Sequence, residues 1–70
     1  MNDVALLIGE RLKATRLDLN LSQEQLAGMV GLHRTYIGCI ERGEKNISVY
    51  TAKKITEALG IKLVDLLHDL

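Results

Sequence analysis

Glycine and asparagine residues divide this chain of 70 residues into short stretches with helical periodicity. The chain has no proline, and no repeat, low-complexity segment or linker interrupts the pattern. A chain of this length has room for one domain with a small core, to which metals, disulfides or a partner often add stability. The sequence therefore predicts a single compact all-helical domain over residues 1–70, with a second subunit as a source of further stability.

Apolar periodicity and an end signal define the first of five predicted helices. We expect it to cover about residues 4–18, with Asn2 or Asp3 as its cap. Asn20 is expected to end it in the left-handed conformation. Apolar residues recur every four positions along one face, at Val4, Ile8 and Leu12.

The start of the second helix carries two independent signals. Ser22 and Gln25 have the spacing of a capping box, and Leu21 and Leu26 have that of a hydrophobic staple. The second helix is therefore expected to begin at Gln23 and to end near Val30. A third helix from about Arg34 to Arg42, a fourth from the cap Ser48 to Leu59, and a fifth over about 63–68 follow.

The segment QEQLAGMVGLHRTYIGCI, from Gln23 to Ile40, has the pattern of a helix-turn-helix. This motif needs a small residue where its helices cross, a glycine in the turn, and a β-branched apolar residue that fixes the second helix. Ala27, Gly31 and Ile37 occupy those places at relative positions 5, 9 and 15. The sequence thus predicts a helix-turn-helix over about residues 23–42.

Other features exclude several classes of protein. One cysteine, Cys39, cannot form an internal disulfide, and no Cys/His grouping has zinc-site spacing. No apolar run approaches the ~20 residues that a membrane span needs. We find no catalytic constellation. We therefore expect a cytoplasmic protein that is not an enzyme and uses no cofactor or metal.

Charge is unevenly distributed, although the net formal charge is zero. Residues 33–54 contain five basic residues and only two acidic ones, Glu41 and Glu44. Such an excess is often only a solvated face, but it gains meaning when a DNA-reading motif lies in the same segment.

The segments IGERLKATR, LSQEQLAGMVGLHRTYIGCIERGEKNIS and ALGIKLVDLL together resemble the phage-repressor-like helix-turn-helix family, also called the Xre or Cro family. Within it, HRTYIGCIERGEKNIS looks most like the controller proteins of restriction-modification operons. The resemblance implies a five-helix bundle of the lambda-repressor-like type, whose third helix enters the major groove of DNA.

The resemblance also implies which residues contact DNA. By position, Arg34, Thr35 and Tyr36 match base-facing residues at the start of the recognition helix, and Arg34 has the donors for a guanine edge. Gln23 is expected to contact phosphate at the amino end of the second helix, and Lys45 and Asn46 are expected to contact DNA from the loop. Cys39 and Arg42 are expected to contact DNA from the recognition helix. If Cys39 does not contact DNA, we expect it to be a small packing residue.

Five further positions have structural roles or depart from the family pattern. The resemblance implies that Glu41 pairs with an arginine of the first helix, here Arg16. This pair would connect the recognition helix to the first helix. His33 and Lys62 stand where other residue types usually cap the third and fifth helices, and Thr56 stands where the family prefers alanine.

The carboxyl-terminal residues, about 60–70, are expected to form a dimer interface. A short helix end with this many apolar groups cannot bury them all in a small monomer. The predicted contacts are Ile61, Leu63, Leu66, Leu67 and Leu70.

Together these features predict a homodimeric transcription regulator that binds a palindromic operator in double-stranded DNA at a restriction-modification promoter. Two alternatives stay open: a stand-alone phage-type repressor, and an antitoxin whose main task is to bind a partner protein. Antitoxins usually add a segment beyond the five helices, and this sequence ends at Leu70.

Overall fold

A computed structural model describes residues 3–70, apart from the side chain of Asp3, and this part contains five α-helices and no strand. The helices are α1 (Asp3–Asp18), α2 (Gln23–Val30), α3 (Arg34–Glu41), α4 (Val49–Leu59) and α5 (Leu63–Leu67). The all-helical fold and the order of its elements are as predicted, and each bound agrees to within one residue. The predicted cap at Asn2 lies outside the described residues. Within the described part, no helix is long and apolar enough to span a membrane.

The buried face of α1 differs slightly from the predicted one. Ala5, Ile8 and Leu12 are buried, whereas Val4 is 49% exposed. Each step of four residues advances about 40° beyond a full helical turn, so a strict four-residue series drifts around the helix. The core therefore receives residues spaced by three and four, and the prediction for Val4 was wrong.

Two glycines bring α1 close to the carboxyl end of α3. A Cβ at Gly9 would meet the carbonyl oxygens of Ile40 and Glu41, which are backbone atoms and cannot move aside cheaply. Gly43 has φ +74°, and a Cβ there would lie 2.8 Å from the Cα of Leu6. These approaches fix where α3 ends relative to α1.

The helix ends show the predicted chemistry at α1 and α2. Asn20 has φ 58°, the left-handed conformation that ends α1. Ser22 Oγ accepts a hydrogen bond from the Gln25 backbone N–H at 2.9 Å, and Gln25 Oε1 accepts one from the Ser22 N–H at 2.8 Å. The capping box is therefore present in both directions.

At α5, residues other than the cap residue supply the hydrogen bonds that a capping side chain usually makes. Lys62 offers no acceptor, but the Asp65 carboxylate accepts a hydrogen bond from the Lys62 N–H at 2.9 Å. At the other end, Arg11 Nη1 donates to the carbonyl oxygens of Leu66 and His68, at 3.0 and 2.6 Å. The first helix thus holds the carboxyl end of the last one.

All five helices contribute to one core, which is almost entirely aliphatic. Its buried members are Ile8, Leu12, Leu26, Ala27, Val30, Ile37, Ile40, Ala52, Ile55, Leu59 and Leu66. Thr56 is also buried, and its hydroxyl donates to the Lys53 carbonyl oxygen at 3.0 Å, so the hydroxyl is satisfied where alanine would be expected.

Leu66 corrects the predicted dimer interface. Its exposure is 0%, because the short α5 packs this side chain into the monomer core. Leu66 is therefore unavailable to a partner. Ile61 and Leu63 are partly buried against the same core, while Leu67 and Leu70 remain exposed.

Candidate nucleic-acid interface

The helix-turn-helix geometry is built by the three residues that the spacing singled out. Ala27 is buried, and its carbonyl oxygen accepts hydrogen bonds from the N–H groups of Gly31 and Leu32. Gly31 has φ 71°, a conformation that glycine adopts without strain. Ile37 is buried and anchors α3 in the core.

The outer face of α3 carries most of the predicted DNA-contacting residues. Arg34 and Thr35 are exposed at its amino end, and Arg42 is exposed at its carboxyl end. Cys39 lies between them and is half-buried. Tyr36 packs partly against the core, so only part of its surface is open to solvent.

His33 caps this helix, although it departs from the usual cap types. Its Nδ1 accepts a hydrogen bond from the Thr35 backbone N–H at 3.1 Å. A neutral imidazole nitrogen can serve as such an acceptor, so one of the free N–H groups at the amino end of α3 is satisfied.

Gln23 lies between the exposed surface of the helix-turn-helix and the interior. Its Nε2 donates to Glu41 Oε1 at 3.0 Å. Glu41 in turn accepts two hydrogen bonds from Arg16, from Nε at 2.7 Å and from Nη2 at 3.0 Å. Arg16 also donates from Nη1 to the Leu21 carbonyl oxygen at 2.7 Å. The expected pair is thus present and buried, with Gln23 as a third member.

Arg34 faces a carboxylate on α2. Its Nη1 lies 3.6 Å from Glu24 Oε2, and both side chains are more than two-thirds exposed. This distance exceeds that of a hydrogen bond, and exposed pairs of this kind contribute little energy. Arg34 therefore remains available for another ligand. Both residues border an open groove along the amino end of α2, where Gln23, Gln25 and Gly28 also lie.

Arg42 is held more firmly, by Glu44. Arg42 Nε donates to Glu44 Oε2 at 2.8 Å, and Nη2 donates to Oε1 at 3.2 Å. These hydrogen bonds, with the charge attraction, raise the pKa of Arg42 above its ordinary value, and hydrogen bonding to Arg42 lowers the pKa of Glu44.

The loop after α3 presents the remaining predicted contacts. Lys45 and Asn46 are both exposed, between the end of α3 and the start of α4. Among the described residues Lys45 makes no ion pair, so its charge is open to solvent. Tyr50, near the start of α4, is 76% exposed, with Lys54 Nζ 5.8 Å from its ring centroid. Tyr50 is not among the predicted DNA contacts.

The sequence profile of the helix-turn-helix family matches residues 12–66 of this chain. The chain belongs to the helix-turn-helix family. The control protein C.BamHI of Bacillus amyloliquefaciens is 48% identical over 67 residues, which cover 94% of this chain and 83% of that protein. The control protein C.MunI of a Mycoplasma species is 41% identical, over 100% of this chain and 96% of its own length.

Solved structures of helix-turn-helix proteins have the same fold. The restriction-modification controller protein C.AhdI from Aeromonas hydrophila superposes with a TM-score of 0.86 at 40% identity, over 89% of this chain and 94% of that one. The family profile, which matches residues 12–66, likewise includes at least part of each of the five helices. The predicted resemblance to controller proteins is confirmed.

Two glutamates on this helix-turn-helix surface were missed from the sequence. Glu24 precedes Arg34 by ten positions, a separation that gives no local signal. Glu44 follows Arg42 by two positions, and the positive φ of Gly43 is what turns it back towards the guanidinium. Among residues 4–70, no cluster of three or more His, Cys, Asp or Glu side chains could hold a metal ion.

Proposed function

We propose that this chain is a dimeric transcription regulator that binds a palindromic operator and controls the promoter of a restriction-modification operon. The observation that carries this proposal is the similarity over nearly the full length to control proteins of such systems. The proposed activity would take place in the cytoplasm, with double-stranded DNA as the partner.

The exposed face of α3 supports DNA recognition by this surface. Arg34 and Thr35 stand at its open amino end, and Lys45 and Asn46 stand in the loop beyond it. In a helix-turn-helix complex, base contacts come from the amino end of the recognition helix, while cations nearby bind phosphate. Arg34 is thus proposed to read a base edge and Lys45 to bind the backbone.

An exposed apolar surface on and after α5 supports dimerisation. Leu67 and Leu70 remain 38% and 43% exposed, and Val64 is 60% exposed. We define the proposed dimer surface as Val64, Leu67 and Leu70, with Ile61 and Leu63 at its margin. A two-fold dimer formed there would place two recognition helices on half-sites about 34 Å apart.

Footprinting on the DNA immediately upstream of the chain's own gene tests this proposal, together with sedimentation of the free protein. We expect a protected site with two-fold symmetry and a dimer in solution. A protein that is monomeric both alone and on DNA would contradict the dimer. Protection at this site with no restriction or modification gene beside it would favour a stand-alone repressor. No DNA binding, together with tight binding to a partner protein, would favour an antitoxin.

A further inference from the structure

The ion pair between Arg42 and Glu44 lies on the proposed DNA-binding surface, where a carboxylate opposes binding. We propose that Glu44 is a specificity-determining residue: by holding Arg42 in a bidentate pair, it withholds one cation from non-specific DNA. This inference rests on the proposed function, since it concerns how the same surface separates operator from other DNA.

The backbone holds Glu44 in place relative to the recognition helix. The Glu44 N–H donates to the Cys39 carbonyl oxygen at 2.9 Å, and the Gly43 N–H donates to that of Ile40 at 3.0 Å. Gly43 itself is seated against Leu6 of α1. Glu44 is therefore fixed to the end of α3 by the helix terminus and by the packing beneath it.

The Arg42 guanidinium is likewise held against α3. Its Nη2, which donates to Glu44, also lies 3.6 Å from Cys39 Sγ. A Cβ at Gly38 would lie 3.1 Å from Nη1, so a glycine at this position makes room for the guanidinium on the helix surface. Two of the three guanidinium nitrogens thus face the Glu44 carboxylate, and the third lies over Gly38.

The contrast with Arg34 indicates a division of roles. Arg34 has one contact of 3.6 Å to its carboxylate, whereas Arg42 has two of 2.8 and 3.2 Å. A phosphate that approaches Arg42 must displace Glu44 and bring its own charge close to a carboxylate. Arg34 can reach DNA without that exchange.

Such a pair affects non-specific binding more than operator binding. Non-specific affinity comes almost entirely from cations that neutralise phosphates, and a complex without base contacts can shift until each free cation meets one. Base contacts on the operator fix the protein in one register, so an added free cation need not find a phosphate there. Releasing Arg42 should therefore increase the affinity for non-specific DNA more than the affinity for the operator.

The test compares Glu44→Gln with the parent on two probes: the duplex that the parent enriches from a randomised library, and a scrambled duplex of the same composition. Glu57→Gln is the matched control, because it removes the same charge from an exposed site on α4 that makes no ion pair among the described residues. Arg42→Ala and the double variant Arg42→Ala/Glu44→Gln complete a cycle. The exposed pair contributes little to folding, and thermal melting verifies that each variant folds.

We expect Glu44→Gln to bind the scrambled duplex several-fold more tightly than the parent and the enriched duplex with a smaller gain. The slope of log affinity against log salt on the scrambled duplex should steepen by about 0.9 per protomer. In the Arg42→Ala background the Glu44→Gln gain should fall well below its size in the parent. What remains comes from the direct repulsion between Glu44 and phosphate and from its attraction for Lys45.

The role of Glu44 would be overturned by an equal gain on both duplexes, by an equal gain from Glu57→Gln, or by a gain that stays the same size without Arg42. A parent that enriches no duplex and binds neither probe contradicts the proposed function itself. A parent that binds normally while Glu44→Gln behaves like the parent contradicts only the inference about Glu44.

Discussion

The guanidinium of Arg16 and the carboxylate of Glu41 meet inside the protein, with Nε 2.7 Å from Oε2 and Nη2 3.0 Å from Oε1. Their side chains are only 6% and 3% exposed, so both charges are largely shielded from bulk water. The pair joins α1 to the last residue of the recognition helix, and a third donor from Gln23 completes it. Each charge therefore depends on the other for its solvation.

Removal of one partner should be costly. We expect Glu41→Ala to lower the free energy of unfolding by about 3–5 kcal/mol, because the buried Arg16 is left without a counter-charge. Urea unfolding followed by circular dichroism measures this change. Glu57→Ala, at an exposed site, should stay within about 0.5 kcal/mol of the parent. A Glu41→Ala protein as stable as this control would show that the pair does not stabilise the fold.

Two glycines provide a matched pair of alanine substitutions with opposite expected signs. Gly9→Ala pushes a methyl group into the carbonyl oxygens of Ile40 and Glu41, and should destabilise the protein by roughly 1–3 kcal/mol or more. Gly28→Ala places the same group in open space within α2 and should stabilise it by about 0.5–1 kcal/mol. Thermal melting of both variants gives the comparison. Equal shifts of the same sign would contradict the close packing of α1 on α3.

Arg34 and Lys45 should affect DNA binding differently, although both are cations. Arg34→Ala should cost about 1–3 kcal/mol per half-site on the operator and relax the preference at one base pair, because it removes a base contact. Binding of this variant to the operator and to a scrambled duplex measures the difference. Equal losses on the two duplexes would show that Arg34 contacts only phosphate.

Lys45→Ala should instead weaken binding to both duplexes alike. The loss of one phosphate contact should reduce the salt slope by about 0.9 per protomer, as measured between roughly 50 and 200 mM salt. Lys62→Ala, an exposed cation beside α5, is the control and should leave the slope unchanged. A loss confined to the operator would mean that Lys45 reads sequence.

Substitutions at two adjacent leucines should distinguish the stability of the monomer from dimerisation. Leu66→Ala removes a fully buried side chain and should destabilise the monomer by about 2–5 kcal/mol. Leu67→Glu places a charge on the proposed dimer surface and should shift the protein to monomer with a nearly unchanged monomer fold. Sedimentation and circular dichroism report the two effects. A Leu67→Glu protein that remains fully dimeric would place the interface elsewhere.

The helix ends could be predicted from sequence because their signals are local. Ser22 with Gln25, Asn20 and Gly31 each specify backbone geometry within a few residues, and the structure has each of them as predicted. The resemblance added the Arg16–Glu41 pair, which joins residues 25 positions apart.

What could not be predicted depends on which side of a short element faces the core. Leu66 and Leu67 are adjacent leucines, and only the docking of α5 on α1 and α4 makes one buried and the other exposed. Glu24 and Glu44 looked like ordinary surface charges, because their arginine partners are defined by the crossing of α2 over α3 and by the turn at Gly43. Gly9 gave no signal either, since its neighbours Ile40 and Glu41 are distant in sequence.

The contacts of Arg11 with the end of α5 have a consequence for the geometry of assembly. α1 is hydrogen-bonded to α5 through Arg11, and it contacts α3 through the close approach at Gly9 and the ion pair of Arg16. In a dimer joined through α5, the angle and separation of the two recognition helices would then be transmitted through α1. A helix outside the helix-turn-helix would thereby set the spacing between half-sites that the dimer accepts. Substitutions along α1 could then change the accepted spacing while every DNA-contacting side chain stays the same.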